Sequence, residues 1–349
     1  MLLWLRRNEF DSVWCFTEVE GLLFALFLKL SRVRRQVFVI GVELLSWKCL
    51  LLLRWLRVWT HLTVLLPTST YQAGEVVRRG RVPPEKVIVL PYQVDCQYFA
   101  PDVGRRMPLE LSDGQASSAG GAQPSEVTGT RPPRERPYIV AVGLESRDYE
   151  TLAEAVADLD VEVRVAAASL WAGRARGRTA SAFPGNMSAR SYAYEQLREL
   201  YAGACLAVVP LHQSIYQHGV TAIQEAMAMG LPVVATRTVG QGDVLSDRRE
   251  RLRREDSLST KGGFASLLAP GRPDLARPSG HYVAAGDADA LRRSISYLLE
   301  HPAQRHALGA QGRLVAEQLL SLDKFVSRAV CLVTKSWEGV PLSQELLRA

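Results

Sequence analysis

The chain has 349 residues, 47% hydrophobic and 22% charged, with a net charge of +6. That length accommodates about two domains with substantial cores, and the composition is globular rather than disordered or fibrous. The mild positive charge suits anionic nucleotides or a phospholipid surface, but without a nucleic-acid motif it does not point to DNA or RNA.

Cys15, Cys49, Cys96, Cys205 and Cys331 are scattered, odd in number and form no C-x-x-C. This argues for a reducing compartment and against a disulfide scaffold or zinc site. The opening MLLWLRRNEF lacks the apolar run of a secretory signal. The most apolar stretch, 37–67, is interrupted by Glu43, Lys48, Arg54, Arg57 and His61, which excludes a spanning helix of about 20 apolar residues. Two readings of this stretch stay open: a helix packed on a sheet, or peripheral membrane contact through Trp47, Trp55, Trp59 and nearby Arg residues.

In chain order, 11–16 (DSVWCF) reads as a strand, 20–30 as an apolar helix, 36–40 as a strand, 44–58 as a helix and 62–67 as a strand. A helix over 69–79, capped by Thr68 or Ser69, leads to a strand over 87–90. This alternation predicts a doubly wound α/β domain over 1–101. Residues 102–136, rich in Gly, Ser, Pro, Ala and charge, read as a disordered linker because they cannot bury a core. A second domain over 137–330 opens with a strand at 138–143 (YIVAVG), then a loop and a helix with Arg147 and Asp148 at its start. A strand over 161–167 follows, then a basic loop over 174–190 and a helix over 192–203, in which Tyr201 reads as packing. Residues 246–280, charged and then rich in Gly and Pro, read as a flexible insertion. The Arg248–Arg254 run reads either as a solvated face or as a contact for acidic acceptors or lipid headgroups. A strand over 281–285 precedes helices over 288–299, 304–320 and 321–334, with 331–349 as a C-terminal tail. Asp287-Ala288-Asp289 imitates a D-x-D metal motif, but its place makes Asp287 an N-cap.

The stretch from Val208 to Asp243 organises the rest. Leu206–Pro210 is a buried strand, 212–218 a polar loop, and Gly219 opens a helix to about Met229. Gly230 and Pro232 stop that helix, and 232–236 (PVVAT) is the next strand. A β-loop-α-β unit of this kind implies a parallel sheet with a right-handed crossover. It sets the free N–H groups of Val220 and Thr221 at a helix N-terminus, which favours an anion. Glu225, in the second turn, is placed to accept from vicinal hydroxyls such as those of a ribose. His218 adjoins Gly219 and reads either as a phosphate or leaving-oxygen contact or as a surface histidine.

The segment QEAMAMGLPVVAT resembles the signature of glycosyltransferase family 4 and related GT-B enzymes. That family has two glutamates eight positions apart. Glu225 matches the second, which holds the donor ribose, and Gln217 stands where the first, contacting the donor hexose, is usually Glu. The segment PEKVIVLPYQVDCQYFAP is similar to the family's end of the first domain, with Val94, Asp95, Phe99 and Pro101 matching and Gln93 at the Gly position. The resemblance also implies that the strand-end Gly143 lines the donor side. Arg147 falls at the family's diphosphate-binding cation, while the second such cation position holds Leu144.

The implied fold is α/β and GT-B-like: two Rossmann-type domains facing a cleft, with the first domain incomplete. By a usual domain size of roughly 150 residues, about 70 are expected to be missing from it. The implied activity is transfer of a sugar from a nucleotide-diphosphate sugar to a glycan, lipid or small-molecule acceptor that the motifs do not name. Retention of configuration, no metal and no separate cofactor are expected. Donor contacts would come from Gly143, Arg147, Gly219, Val220, Thr221 and Glu225, with Gln217 and His218 near the sugar. The expected location is cytoplasmic, any membrane contact being at the inner face. Two rivals stay open: a non-catalytic GT-B relative that binds a nucleotide or a partner, and a nucleotide-sugar epimerase or hydrolase on the same fold.

Overall fold

A computed structural model of the chain describes residue 6 and residues 9–101, 137–167, 183–247 and 263–348. The expected linker over 102–136 and the Arg248–Arg254 run lie outside the described residues.

The first domain holds β1 (Ser12–Cys15), α1 (Glu18–Leu30), β2 (Gln36–Gly41), α2 (Trp47–Leu50), β3 (Val64–Pro67) and α3 (Thr70–Arg78). Its strands form a parallel sheet in the order β1-β2-β3, with Phe38 opposite Val64. Continuous apolar strands with helices between them demand this arrangement, because each strand must be covered on both faces. Ser69 caps α3, its hydroxyl accepting from the Gln72 N–H at 3.3 Å.

Two expectations for this domain are corrected. The helix expected over 44–58 is broken into α2, a π-helical turn over Leu51–Trp55 and a 3-10 turn over Val58–His61. Arg57, with φ of 45°, ends the helical run. Residues 87–90 do not form a regular strand. They lie along β3, with Ile88 N–H donating to Leu65 at 3.1 Å and Leu90 N–H to Pro67 at 3.0 Å.

The second domain holds β4 (Tyr138–Val142), α4 (Tyr149–Val156), β5 (Glu162–Ala166), β6 (Met187–Arg190), α5 (Tyr194–Gly203), β7 (Leu206–Val209), α6 (Val220–Ala228), β8 (Val233–Arg237), α7 (Gly263–Leu268), β9 (Gly280–Ala284) and α8 (Ala288–Glu300). All six strands are parallel, in the order β6-β5-β4-β7-β8-β9. The direction of winding reverses between β4 and β7, which opens a crevice at their carboxyl ends. β6 occupies part of the basic loop expected over 174–190. As an edge strand with only Met187 buried, it shows no apolar period. The expected insertion over 246–280 is in part structured: α7 forms within it, and Phe264, Leu268 and Leu275 are buried.

Helices α9 (Pro302–Val315) and α10 (Leu322–Trp337), joined by a π-helical turn over Ala316–Leu320, return the chain to the first domain. Val94 N–H donates to Leu320 at 2.9 Å and Leu322 N–H to Val94 at 3.0 Å. Arg313 donates to the carbonyls of Phe99 at 2.6 Å, Cys96 at 3.0 Å and Ala228. The segment expected to be a tail closes on the first domain as well. The Gln344 amide accepts from Val89 N–H at 2.7 Å and donates to its carbonyl at 3.0 Å. A single apolar core runs from Phe38 and Leu66 through Val94 and Phe99 to Val220 and Ile223. The two domains are thereby joined by buried apolar contact as well as by main-chain hydrogen bonds.

Candidate functional site

The loops that follow β4 and β7 meet at the switch point. Asp148 N–H donates to Pro210 at 3.1 Å and His212 N–H to Ser146 at 3.0 Å. These bonds draw residues 143–148 alongside residues 210–212. Asp148 then caps α4, accepting from the Thr151 N–H at 3.0 Å and its hydroxyl at 2.7 Å.

Arg147 is held between these loops. Its Nε donates to the Val142 carbonyl at 2.9 Å and its Nη1 to the Glu145 carbonyl at 2.8 Å. A Cβ at Gly143, whose φ is 106°, would run into this guanidinium. A Cβ at Gly219 would stand 2.8 Å from Val209 Cγ1 and 3.4 Å from Arg147 Nη1. Gly219 also has φ of 75° as the N-cap of α6, a left-handed conformation that a side chain strains. Glycine at both positions therefore lets one cation approach the free N–H groups of Val220 and Thr221. Two positive features converge, and an anion there is met by both. Burial lowers the Arg147 pKa, against the raising influence of Tyr149, Tyr201, Glu145 and Glu225.

Glu225 lies on α6 with 7% of its surface exposed. Tyr201, on α5, donates to Glu225 Oε2 at 2.9 Å. Burial pushes the Glu225 carboxyl up to about 7, while the Tyr201 hydrogen bond and the Arg147 charge oppose the rise. Tyr201, read from the sequence as packing, thus orients the carboxylate. The missed signal is that a buried tyrosine needs a partner for its hydroxyl.

Gln217, expected near the donor sugar, lies beside the loop after β8. It is 1% exposed, and its Nε2 donates to Asp243 Oδ1 at 3.1 Å. Its Oε1 is buried and has no hydrogen-bond partner among the described residues. The Nδ1 of His218 is likewise buried and unpartnered among them. His218, Glu145 and Glu43 of the first domain bring their ligand atoms within 4.8 Å of one another, so loops of both domains meet beside the anion position. Gly240-x-Gly242 forms the turn after β8, where Gly240 N–H donates to Ser214 at 2.9 Å. The Asp287 N-cap is present, accepting from Ala290 N–H at 2.8 Å.

Residues 136–260 match a family model described as "Glycosyl transferases group 1". No curated protein matches the chain. Sucrose-phosphate synthase from Thermosynechococcus elongatus is similar in structure, with a TM-score of 0.64 and 16% identity over 96% of this chain and 76% of its own. Anabaena HepE, crystallised in complex with UDP-glucose, has a TM-score of 0.64 and 12% identity over 97% of this chain and 81% of its own. α,α-Trehalose 6-phosphate synthase from Burkholderia multivorans has a TM-score of 0.59 and 14% identity over 96% and 74%. At such identities the likeness is one of fold. The chain thus shares the two-sheet GT-B fold of these glycosyltransferases, and residues 136–260 carry the group 1 match.

Proposed function

We propose that this chain transfers a sugar from a nucleotide-diphosphate sugar to an acceptor hydroxyl. The observation that carries this reading is the convergence of the Arg147 guanidinium and the α6 N-terminus at Gly219, with Glu225 on the same helix for the ribose. In the proposed step, the bond between the anomeric carbon and the diphosphate oxygen breaks. The acceptor oxygen bonds to that carbon, and the acceptor's proton passes to the departing diphosphate. Arg147 and the amides of Val220 and Thr221 stabilise the charge that develops on the leaving oxygen, and His218 stands beside it. Retention of configuration is proposed on the family resemblance. No metal is required, because the cation and the helix dipole already face the diphosphate.

The test is thermal stabilisation of the purified chain by UDP, GDP, TDP and ADP, with and without EDTA. A nucleotide at 100 times its dissociation constant adds about 2.7 kcal/mol. One base is expected to stabilise more than the others, with no change on adding EDTA. Loss of the effect in EDTA would assign the charge to a cation instead, with Glu43, Glu145 and His218 as the groups near enough to hold one. No stabilisation by any nucleotide, in folded protein, would favour a non-catalytic role.

Membrane contact is proposed for the first domain. No described helix is long and apolar enough to cross a membrane. Trp47, Leu51 and Trp55, spaced four apart, are nevertheless exposed on one helical face, the two tryptophans at 72%. Lys48 and Arg54 lie over the tryptophan rings at 6.0 and 5.6 Å. Basic groups beside exposed tryptophans suit an anionic bilayer surface. Vesicles containing anionic phosphatidylglycerol are expected to sediment the wild type, whereas Trp47→Ser/Trp55→Ser stays in solution. Equal recovery of both proteins would refute the contact.

A further inference from the structure

We infer that Gln217 is a positioning residue: with Asp243 and Thr70 it forms a buried clasp that fixes the first domain against the loop leading to the anion site. The clasp stands on geometry alone, and its effect on the donor rests on the function proposed above.

Asp243, after β8, is 4% exposed. Its Oδ2 accepts from the N–H and the hydroxyl of Thr70, both at 2.9 Å. Thr70 is the first residue of α3, so the carboxylate of one domain sits at a helix N-terminus of the other, where the dipole favours it. The other oxygen, Oδ1, takes the Gln217 Nε2 at 3.1 Å. The Asp243 carbonyl accepts from Phe264 N–H at 2.8 Å, which fastens the loop to α7. Gln217 lies two residues before Gly219, the N-cap of α6. An unbroken path therefore runs from α3 of the first domain through Asp243 and Gln217 to the proposed diphosphate position.

This geometry explains the amide at 217. Asp243 Oδ2 is already committed to two donors of Thr70, so Oδ1 needs a donor. A glutamate at 217, the residue the sequence resemblance leads one to expect, would oppose a second carboxylate to Asp243 at about the same distance in a buried setting. One of the two would have to hold a proton or move away. Gln217 and Asp243 are thus matched in charge, and the match holds only while Thr70 is docked.

The test is a reciprocal exchange in the full chain, read by the small-angle scattering radius of gyration and by UDP affinity. Gln217→Glu is expected to enlarge the radius and to weaken UDP by about tenfold or more, the scale of losing a hydrogen bond to a charged group, whereas Asp243→Asn alone is expected to keep both, because the Gln217 amide can turn its oxygen to accept from the introduced N–H. In the double variant, the amide introduced at position 243 offers its oxygen to Thr70 and its N–H to the carboxylate introduced at position 217. Radius and affinity are then expected to return to near wild type, a rescue that independent folding defects would not give. Thr70→Val, which changes no charge, is expected to shift both readouts in the same direction and carries the test should Gln217→Glu not fold. Unchanged radii in Gln217→Glu and Thr70→Val, or a double variant no better than Gln217→Glu, would overturn the clasp. If the radii behave as stated while no protein binds any nucleotide, the clasp stands and the donor reading falls. If affinity changes at constant radius, the clasp falls and the donor reading stands.

Discussion

Replacing Glu225 by Gln is expected to stabilise the unliganded protein at pH 8 while weakening nucleotide binding. Burial raises the Glu225 carboxyl from an ordinary 4.5 to about 7. The folded state therefore holds a proton that the unfolded chain releases between those values. It follows that the contribution of Glu225 to stability falls as pH rises through this window and stays at its lowest above about 7. The two values correspond to about 3 kcal/mol at pH 8. Gln keeps an oxygen for the Tyr201 hydroxyl and carries no charge, so the gap between the thermal midpoints of variant and wild type should be small at pH 5 and large at pH 8. Nucleotide binding should behave in the opposite sense. In the proposed donor site the ionised carboxylate would accept from both ribose hydroxyls, so wild-type affinity should tighten as pH rises through about 7. The variant should bind about tenfold or more weakly at pH 8, as expected for the loss of a charged acceptor. Midpoints that run parallel across pH would show that the carboxylate is not desolvated.

Arg147→Met should separate the diphosphate from the nucleoside. The guanidinium commits two donors to the Val142 and Glu145 carbonyls, which fixes the fork and leaves its other N–H groups for a ligand. Charge-assisted bonds of this kind contribute about 1.5–3 kcal/mol, so affinity for the nucleoside diphosphate that stabilises the wild type most should fall by about tenfold to a hundredfold. The corresponding nucleoside, which has no phosphate, should bind the variant and the wild type alike. Arg147→Lys should not restore the diphosphate preference, because a point charge reproduces neither the fork nor its two main-chain anchors. Titration calorimetry with both ligands reads the ratio. A parallel loss for diphosphate and nucleoside would place Arg147 away from the phosphates.

Much of this site was legible because its parts are local. Gly219 and the apolar spacing of Val220, Ile223 and Met227 mark a helix start and its buried face within a dozen residues. Gly143 and Arg147 are close in sequence and are held by the same strand end. The Tyr201 contact with Glu225 spans 24 residues and the Thr70 contact with Asp243 spans 173, and no periodicity or cap joins such pairs. Gln217 shows the limit best. Its spacing from Glu225 gives no sign that its Nε2 donates to Asp243, which in turn holds Thr70 of the first domain.

By itself the sequence determined the alternation of apolar strands and helices, the parallel sheets that follow from it, and a glycine-led helix start with a carboxylate in its second turn. These rest on side-chain periodicity, on glycine's access to positive φ and on the unpaired amides of a helix end, all of which act over a few residues. The tertiary structure alone decided the strand order that opens the crevice between β4 and β7, the edge strand β6 and the broken helix after Trp47. It also decided the burial that lifts the Glu225 carboxyl and the clasp between the domains. These depend on pairing, burial and donors supplied by parts of the chain distant in sequence, which come together only on folding.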